Sequence, residues 1–403
     1  MESKKGIEKL LYSNYLEKMW NLTTAFIPAL WSKRLQILTK NQLVAKEICS
    51  FEEQAWLAYG DTVHRPYAND LMVNDYVKYT DTTAQDLVGT DETLVINKSK
   101  EISFAIDEVD GIQSKYDLED NYVSRAAYRL ANDMDRTVLW EVANATKTFD
   151  NAWSAITLSV SNCLATMMDA GAMLAANGCE MDKTWALVVS PKAASIIAQT
   201  VADKWFNLAD LTLKNGYAGM FGWYKVYVSN NVRTTNTITL ASVVATDKVT
   251  IAWVDFEFVS SLSTTAGTVA KWANDAAAAA NLVAAINGAA GAGTTYVDIT
   301  AADRAKLKNA GIVASASSAV ITIVSWGKVV MSTDDSTITI GTAEEQALLC
   351  RPGAIDFVMQ KGIEVRKTPL AKQKADYFII SCLYGVKTFQ EWKDRMVKIR
   401  LAA

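Results

Sequence analysis

The order of elements between Phe26 and Ala145 constrains this chain more than any other feature. Pro28 opens an amphipathic helix, in a first turn where its missing N–H costs nothing. Leu30, Trp31, Leu35, Leu38, Leu43 and Val44 give that helix an apolar stripe. A long polar segment rich in β-formers follows, from Phe51 to about Ile106. Then comes one helix, Asp117 to Thr146, in which Val123, Ala127, Leu130, Met134, Val138, Val142 and Ala145 step by three or four. At 1.5 Å per residue it spans about 45 Å. A chain that folds only around its own core has little use for a polar excursion between two helices. A subunit that reaches across its neighbours does.

The excursion has internal structure. Gly60-Asp61 is a turn signal before Thr62-Val63-His64-Arg65-Pro66, and Pro66 argues against a central strand. Leu94-Val95-Ile96 and Ile102 to Ile106 read as strands. Together these predict a long β-hairpin with a thin apolar face. Such a hairpin is marginal alone, so it is expected to lie on a neighbouring subunit. Residues 1–25 read as a docking arm, with Leu10, Leu11, Tyr15, Leu16 and Met19 at helical spacing. On the long helix, Arg129 and Asp133 stand one turn apart and are expected to pair on the outer face.

Residues 160–235 read as α/β. A helix from Ser161 to Ala176 stops at Asn177-Gly178, Trp185 to Val189 is a buried strand, Ser190-Pro191 opens a helix through Thr200, and Trp223 to Ser229 is a strand. Residues 236–345 change style to Ala, Thr and Gly. Val249 to Val259 and Val320 to Met331 are expected strands. Asn274 to Ile286 is an expected helix closed by Asn287-Gly288, and Thr300 caps a short helix. This unit is read as an inserted domain able to fold alone. Beyond it, Ala354 to Met359, Gly362 to Arg366 and Tyr377 to Tyr384 are β-like.

Charge is unevenly spread. Residues 236–345 hold ten acids and six bases, which accounts for the whole net charge of -4. Both ends are basic; residues 361–403 carry ten bases against four acids. Solvated helix faces explain such ends, and so does one face turned toward nucleic acid. The five cysteines form no CxxC pair and read as buried reduced thiols. The opening MESKKGIEKL has no sustained apolar core, and no run reaches the length of a membrane span, so neither signal peptide nor membrane contact is predicted.

Chemistry is hard to place. The single histidine, His64, would have to serve any Ser–His or Cys–His site, and its neighbours Arg65 and Pro66 suggest an exposed extended segment. Asp107-Glu108-Val109-Asp110-Gly111 lacks the alternation and closing Glu of a calcium loop and reads as a charged junction. No phosphate-binding glycine motif occurs. No residue is assigned as catalytic, cofactor-binding or metal-ligating, no cofactor is expected, and an enzyme is the least favoured class.

Several short motifs, in order, resemble those of tailed-bacteriophage major capsid proteins. They are Phe26-Ile27-Pro28-Ala29-Leu30-Trp31, Gly60-Asp61-Thr62-Val63-His64-Arg65-Pro66, Val73-Asn74-Asp75-Tyr76, Phe104-Ala105-Ile106-Asp107-Glu108-Val109-Asp110, Arg125-Ala126-Ala127-Tyr128, and Val226-Tyr227-Val228-Ser229-Asn230-Asn231. The resemblance covers about residues 20–235 and 346–400. It implies an α+β fold of the Hong Kong 97 type with an inserted small α/β or β-rich domain. Residues 1–50 would be the N-terminal arm and first helix, and 51–106 the E-loop. A peripheral domain with the long spine helix would take 107–149 and 350–403. An axial domain would take 150–235 and 346–360, with 236–345 inserted.

The implied function is an icosahedral head enclosing double-stranded DNA. The implied partners are further copies in hexamers and pentamers, a separate scaffolding protein, a portal, decoration proteins, and DNA bound without sequence readout. Assembly in the host cytoplasm and residence in the virion follow. In some relatives a Lys and an Asn cross-link subunits; Lys78, Lys98 and Lys100 stand in the E-loop region. Two rivals remain: an encapsulin-like nanocompartment shell, and a receptor- or carbohydrate-binding surface protein acting through 236–345.

Overall fold

The computed structural model describes residues 43–53, 60–68, 71–79, 81, 84–87, 89–113, 118–180, 184–204, 217–221, 223–272, 274–370 and 374–402. The expected docking arm and most of the first helix lie outside them. Two sheets organise the rest of the family-like part, and a third belongs to 236–345.

The first sheet has four strands, in the order Cys49–Ser50, Ile355–Pro369, Ala375–Lys387, Lys98–Asp107. Here the hairpin expectation is corrected. Thr62–Ala68 pairs with Gly89–Val95, from Thr62 opposite Val95 to Ala68 opposite Gly89. The strand around Ile102–Ile106 instead pairs antiparallel with Ala375–Lys387, Phe104 facing Phe378. Its alternating burial explains the choice, because Ile102 and Phe104 turn their side chains toward the spine-helix core. Pro66 is tolerated because its strand belongs to a two-stranded ribbon.

The spine helix runs Leu118–Trp140 and tightens to a 3₁₀ turn at Glu141–Asn144, short of the expected Thr146. Leu130, Met134 and Val138 bury against Phe357, Ile380 and Tyr384 of the four-stranded sheet. Asp133 accepts a hydrogen bond from the Tyr384 hydroxyl at 3.1 Å and pairs with Lys100 at 3.5 Å, so its face is turned to the sheet and not to solvent.

The second sheet is ten-stranded. Its path is Val313–Ser317, Val320–Trp326, Arg233–Leu240, Glu344–Cys350, Trp185–Val189, Tyr224–Val228, Tyr217–Phe221. Ile338–Ile340 joins Arg233–Leu240, and Met396–Ala402 joins Glu344–Cys350. Trp185–Val189 is buried at every residue, as its unbroken apolar run predicts. Helices Cys163–Ala176 and Pro191–Lys204 cover one face through Met167, Leu174, Ile197 and Val201. Gly171 is required there: a Cβ would sit 1.6 Å from the Tyr224 hydroxyl, which donates to the Met167 carbonyl at 3.2 Å.

Residues 236–345 contribute to that sheet and also carry a core of their own. A further sheet orders Thr268–Ala270, Val254–Val259, Lys248–Ile251, Met331–Thr333. Phe256, Phe258, Leu282, Ile286, Ile321 and Ile323 pack together, joined by Ile238 and Leu240 of the shared strand. Helix Asp275–Asn287 is capped by Asn274, whose side chain accepts from Ala277 N at 2.8 Å, and ends at Gly288 with φ +64°. Thr300 caps Ala301–Asn309 as its spacing predicts. The expected single strand Val249–Val259 is a hairpin, because Ala252 and Trp253 both take positive φ, +52° and +63°.

Candidate assembly surface

Surface built for assembly should combine a rigid anchor with apolar residues that the chain itself leaves bare. The ribbon Thr62–Ala68/Gly89–Val95 has both. At its base, Leu94 and Ile96 are buried with Val358 and Phe389. Ile96 N donates to the Asp61 carbonyl at 2.8 Å, Gln360 Nε2 to the Gly60 carbonyl at 2.8 Å, and Lys387 Nζ to the Thr93 carbonyl at 2.8 Å. Arg65 lies over the Trp392 ring, 4.2 Å from its centroid, and reaches toward Asp356 at 3.6 Å.

Asp356 is fully buried and neither carboxylate oxygen has a hydrogen-bond partner. Burial pushes its carboxyl up to about 7, against the pull of Arg65; Glu53 and Glu52 add to the rise, and nearby Ser50 tempers it. The ribbon is thus held at its base by one cation above one reluctant anion.

Beyond the base the character inverts. The Gln85 side-chain amide clasps Met72, accepting from its N–H at 2.8 Å and donating to its carbonyl at 2.5 Å. Around that clasp Leu71, Met72, Val73, Tyr76, Val77, Tyr79 and Leu87 are exposed, Val73 at 99% and Tyr79 at 90%. Sequence reading saw a thin apolar face here but missed this cluster; its signal was seven large apolar residues without a strand period.

A second joint fixes the spine. Asp135, buried, accepts from Val44 N at 2.7 Å, Ala45 N at 2.8 Å and Asn231 Nδ2 at 2.8 Å. Asn231 Nδ2 also donates to Asn132 Oδ1 at 2.9 Å, and its own oxygen accepts from Arg136 Nε at 3.2 Å. Arg136 continues to the Asn309 carbonyl at 3.1 Å. Around one amide, residues 44–45, the spine helix and residues 236–345 are thus tied together. Burial raises the Asp135 carboxyl, and the hydrogen bond from Asn231 and those from Val44 and Ala45 oppose it.

His64 sits on the ribbon, hydrogen-bonded to Asp91 and exposed. Asp107 caps the short helix Glu108–Gln113 by accepting from Val109 N at 2.9 Å. Among the described residues, no three His, Cys, Asp or Glu side chains converge as metal ligands, and no helix is long and apolar enough to cross a membrane. None of the five cysteines is in a disulfide; four are buried, and burial pushes the Cys350 thiol up to about 12. Of the basic C-terminal side chains, Arg400 pairs with Glu344 at 2.8 Å and Asp150 at 3.1 Å, and Lys367 with Glu119 at 2.8 Å. Lys98, Lys100, Lys308 and Lys387 rim a cleft of about 630 Å³ floored by Trp140 and Trp326. Lys78 stands on the exposed tip, over Tyr79.

No protein-family model matches this chain, and no curated protein does. Solved structures do. One from Mycobacterium phage Che8 superposes with a TM-score of 0.57 at 18% identity, over 93% of this chain and 96% of that one. The capsid structure of cyanophage P-SCSP1u gives 0.53 at 10% identity, over 94% of each chain. Likeness over nearly the whole of both chains shows a common fold, the Hong Kong 97-type α+β fold that the sequence motifs implied.

Proposed function

We propose that this chain, carrying the Hong Kong 97-type fold, is the major coat subunit of a tailed-phage head. Many copies, in hexamers and pentamers, close an icosahedral shell around double-stranded DNA. Its chemistry is burial between copies, not turnover. The supporting observation is the ribbon: anchored at its base, it carries a cluster of large apolar side chains that its own chain does not cover. Exposed apolar patches of that kind mark interaction sites. The capsid origin of the cyanophage structure supports the same reading.

The domain assignment stays as the resemblance implies, with 51–106 as E-loop and 236–345 as insert. A scaffolding protein, a portal and decoration proteins are the further partners we assign, and assembly in the host cytoplasm is the expected route. DNA would be contacted through phosphates without base readout.

The test replaces Leu71, Val73 and Tyr79 together by Ser. Each chain is produced together with the scaffolding protein; the variant is expected to stay folded and sediment as small species, while the unaltered chain forms closed shells under electron microscopy. Shells of native size from the variant would overturn the reading. Purified shells empty of nucleic acid but filled with an enzyme would favour a nanocompartment instead.

A further inference from the structure

We propose that the lysine-rimmed cleft between the ribbon base, the spine helix and 236–345 binds a small amphipathic organic anion. Its guest would be an aromatic or branched apolar body carrying a carboxylate, sulfonate or phosphate. The site does not depend on whether the chain builds a shell.

The cleft holds about 630 Å³, inside the range of roughly 300–1,000 Å³ typical of small-molecule sites. Separate parts of the chain wall it. Thr93 and Val95 come from the ribbon, Thr137 and Trp140 from the spine helix, and Ile312 and Val313 from 236–345. Its floor is built in advance. Trp140 and Trp326 meet edge to face, with ring centroids 6.4 Å apart. Arg233 lies over Trp140 at 4.7 Å and Arg136 over Trp326 at 4.8 Å. Gly311 closes against Trp326: a Cβ there would stand 2.2 Å from the ring, and its φ of +61° suits glycine. Rings held in this way need no rearrangement to receive a ligand, which lowers the cost of binding.

Above the floor the walls are apolar and bare. Val95 is 43% exposed although its neighbours Leu94 and Ile96 are buried. Val313 is 52% exposed between buried Ile312 and Ala314. One valine belongs to the ribbon and the other to 236–345, so two parts of the chain offer the cleft apolar surface that is still open to water.

The rim sets the charge. Four lysines line the cleft against two acids, Asp133 and Glu141, and both acids are already engaged. Asp133 accepts from the Tyr384 hydroxyl and pairs with Lys100 at 3.5 Å. Glu141 accepts from Asn144 Nδ2 at 2.7 Å and from the Thr388 hydroxyl at 3.2 Å. Lys98 and Lys308 are exposed and pair with no acid among the described residues. Lys98 enters from the four-stranded sheet and Lys308 from helix Ala301–Asn309. An apolar body between the valines would present its anionic group to these lysines. A cation would meet their repulsion and a neutral molecule would gain nothing from them, so the rim selects the anion. Touching both walls, such a ligand would hold the ribbon base against 236–345.

The experiment titrates the full, unassembled chain with anilinonaphthalene sulfonate, followed by calorimetry. Phenylnaphthylamine, the same ring system without the sulfonate, is the comparison. Lys98→Gln/Lys308→Gln should weaken the sulfonate roughly tenfold and leave the neutral dye unchanged. Val313→Trp, which fills the cleft from an exposed position, should weaken both dyes. The Leu71, Val73 and Tyr79 to Ser variant should keep the lysine-dependent site. Melting temperatures of the lysine variant and the unaltered chain should agree, because both lysines are exposed; if they differ, Val313→Trp alone decides. Sulfonate binding undiminished in either cleft variant would overturn the proposal. So would loss of the site in the Leu71, Val73 and Tyr79 variant, which would place the dye on the ribbon tip. Closed shells that exclude the dye would also overturn it, by assigning the cleft to a segment of a neighbouring copy.

Discussion

Asp135 and Asp356 are both buried aspartates whose carboxyls burial pushes upward, yet they build opposite kinds of joint. Asp135 is met by two backbone N–H groups and an amide. Asp356 is met mainly by the charge of Arg65 at 3.6 Å, with Ser50 a lesser help. The first joins segments that must keep one relation: residues 44–45, the spine helix and the turn at Asn231. The second holds the base of the ribbon whose tip carries the bare apolar cluster. A saturated joint resists change in pH or partner, whereas an unsaturated one shifts with either. The molecule thus fixes its spine firmly and its projecting ribbon loosely.

The largest expected effect breaks the first joint. Asp135→Ala leaves the N–H groups of Val44 and Ala45 and one of the two Asn231 amide hydrogens without their acceptor. At roughly 1–3 kcal/mol for a buried unsatisfied group, the variant should lose about 4 kcal/mol of stability. Urea unfolding of the unassembled chain measures it. A loss below about 1 kcal/mol would show that water replaces the carboxylate and that the joint is not saturated by Asp135.

The second effect reaches its full size only at the upper end of a pH window. Folded Asp356 titrates near 7 against an ordinary 3.8, so between those values the folded chain holds a proton that the unfolded chain has released. Stability therefore falls as pH rises from about 4 to 7, and the loss is complete above 7. The shift corresponds to about 4 kcal/mol at most. Asp356→Asn removes this slope. Unfolding midpoints of the two proteins, compared across that window, should converge toward pH 4 and separate toward pH 8 in favour of the variant. A constant difference would mean that Asp356 is ionised throughout.

Much of this architecture is legible in the chain. The three- and four-residue steps from Val123 to Val142 give the spine, and Asn274 with Gly288 bounds a helix to within a residue at each end. Local chemistry carries those signals. The pairing of Lys98–Asp107 with Ala375–Lys387 joins segments far apart in sequence, and no local rule reports it. Ala252-Trp253 makes a tight turn without the Asn or Gly that normally announces one. Met396–Ala402 alternates apolar and charged residues as a strand should, but Lys398 and Arg400 read equally well as part of a basic end. Of the two joints, neither aspartate was foreseen. Asp135 sits beside Arg136 on a helix whose apolar stripe looked complete, and Asp356 lies within an apolar run whose burial only a folded sheet reveals.

Whether Arg65 or the surrounding bonds hold the ribbon base is a finer question. Arg65→Ala should weaken the base by about 1–2 kcal/mol at pH 8, where Asp356 is charged, because it leaves that charge unpaired. The effect should shrink in the Asp356→Asn background, giving a coupling of about 1 kcal/mol. Hydrogen exchange at 62–68 and 89–95 reads it locally. Gln360→Ala removes only the exposed bond to the Gly60 carbonyl and should cost about 0.5 kcal/mol, with no dependence on pH or on residue 356. If Gln360→Ala loosened the ribbon as much as Arg65→Ala, the base would be held by its hydrogen bonds. The contrast between a saturated spine joint and a charge-held ribbon joint would then collapse, since a backbone carbonyl does not titrate and could not give the ribbon a pH-dependent hold.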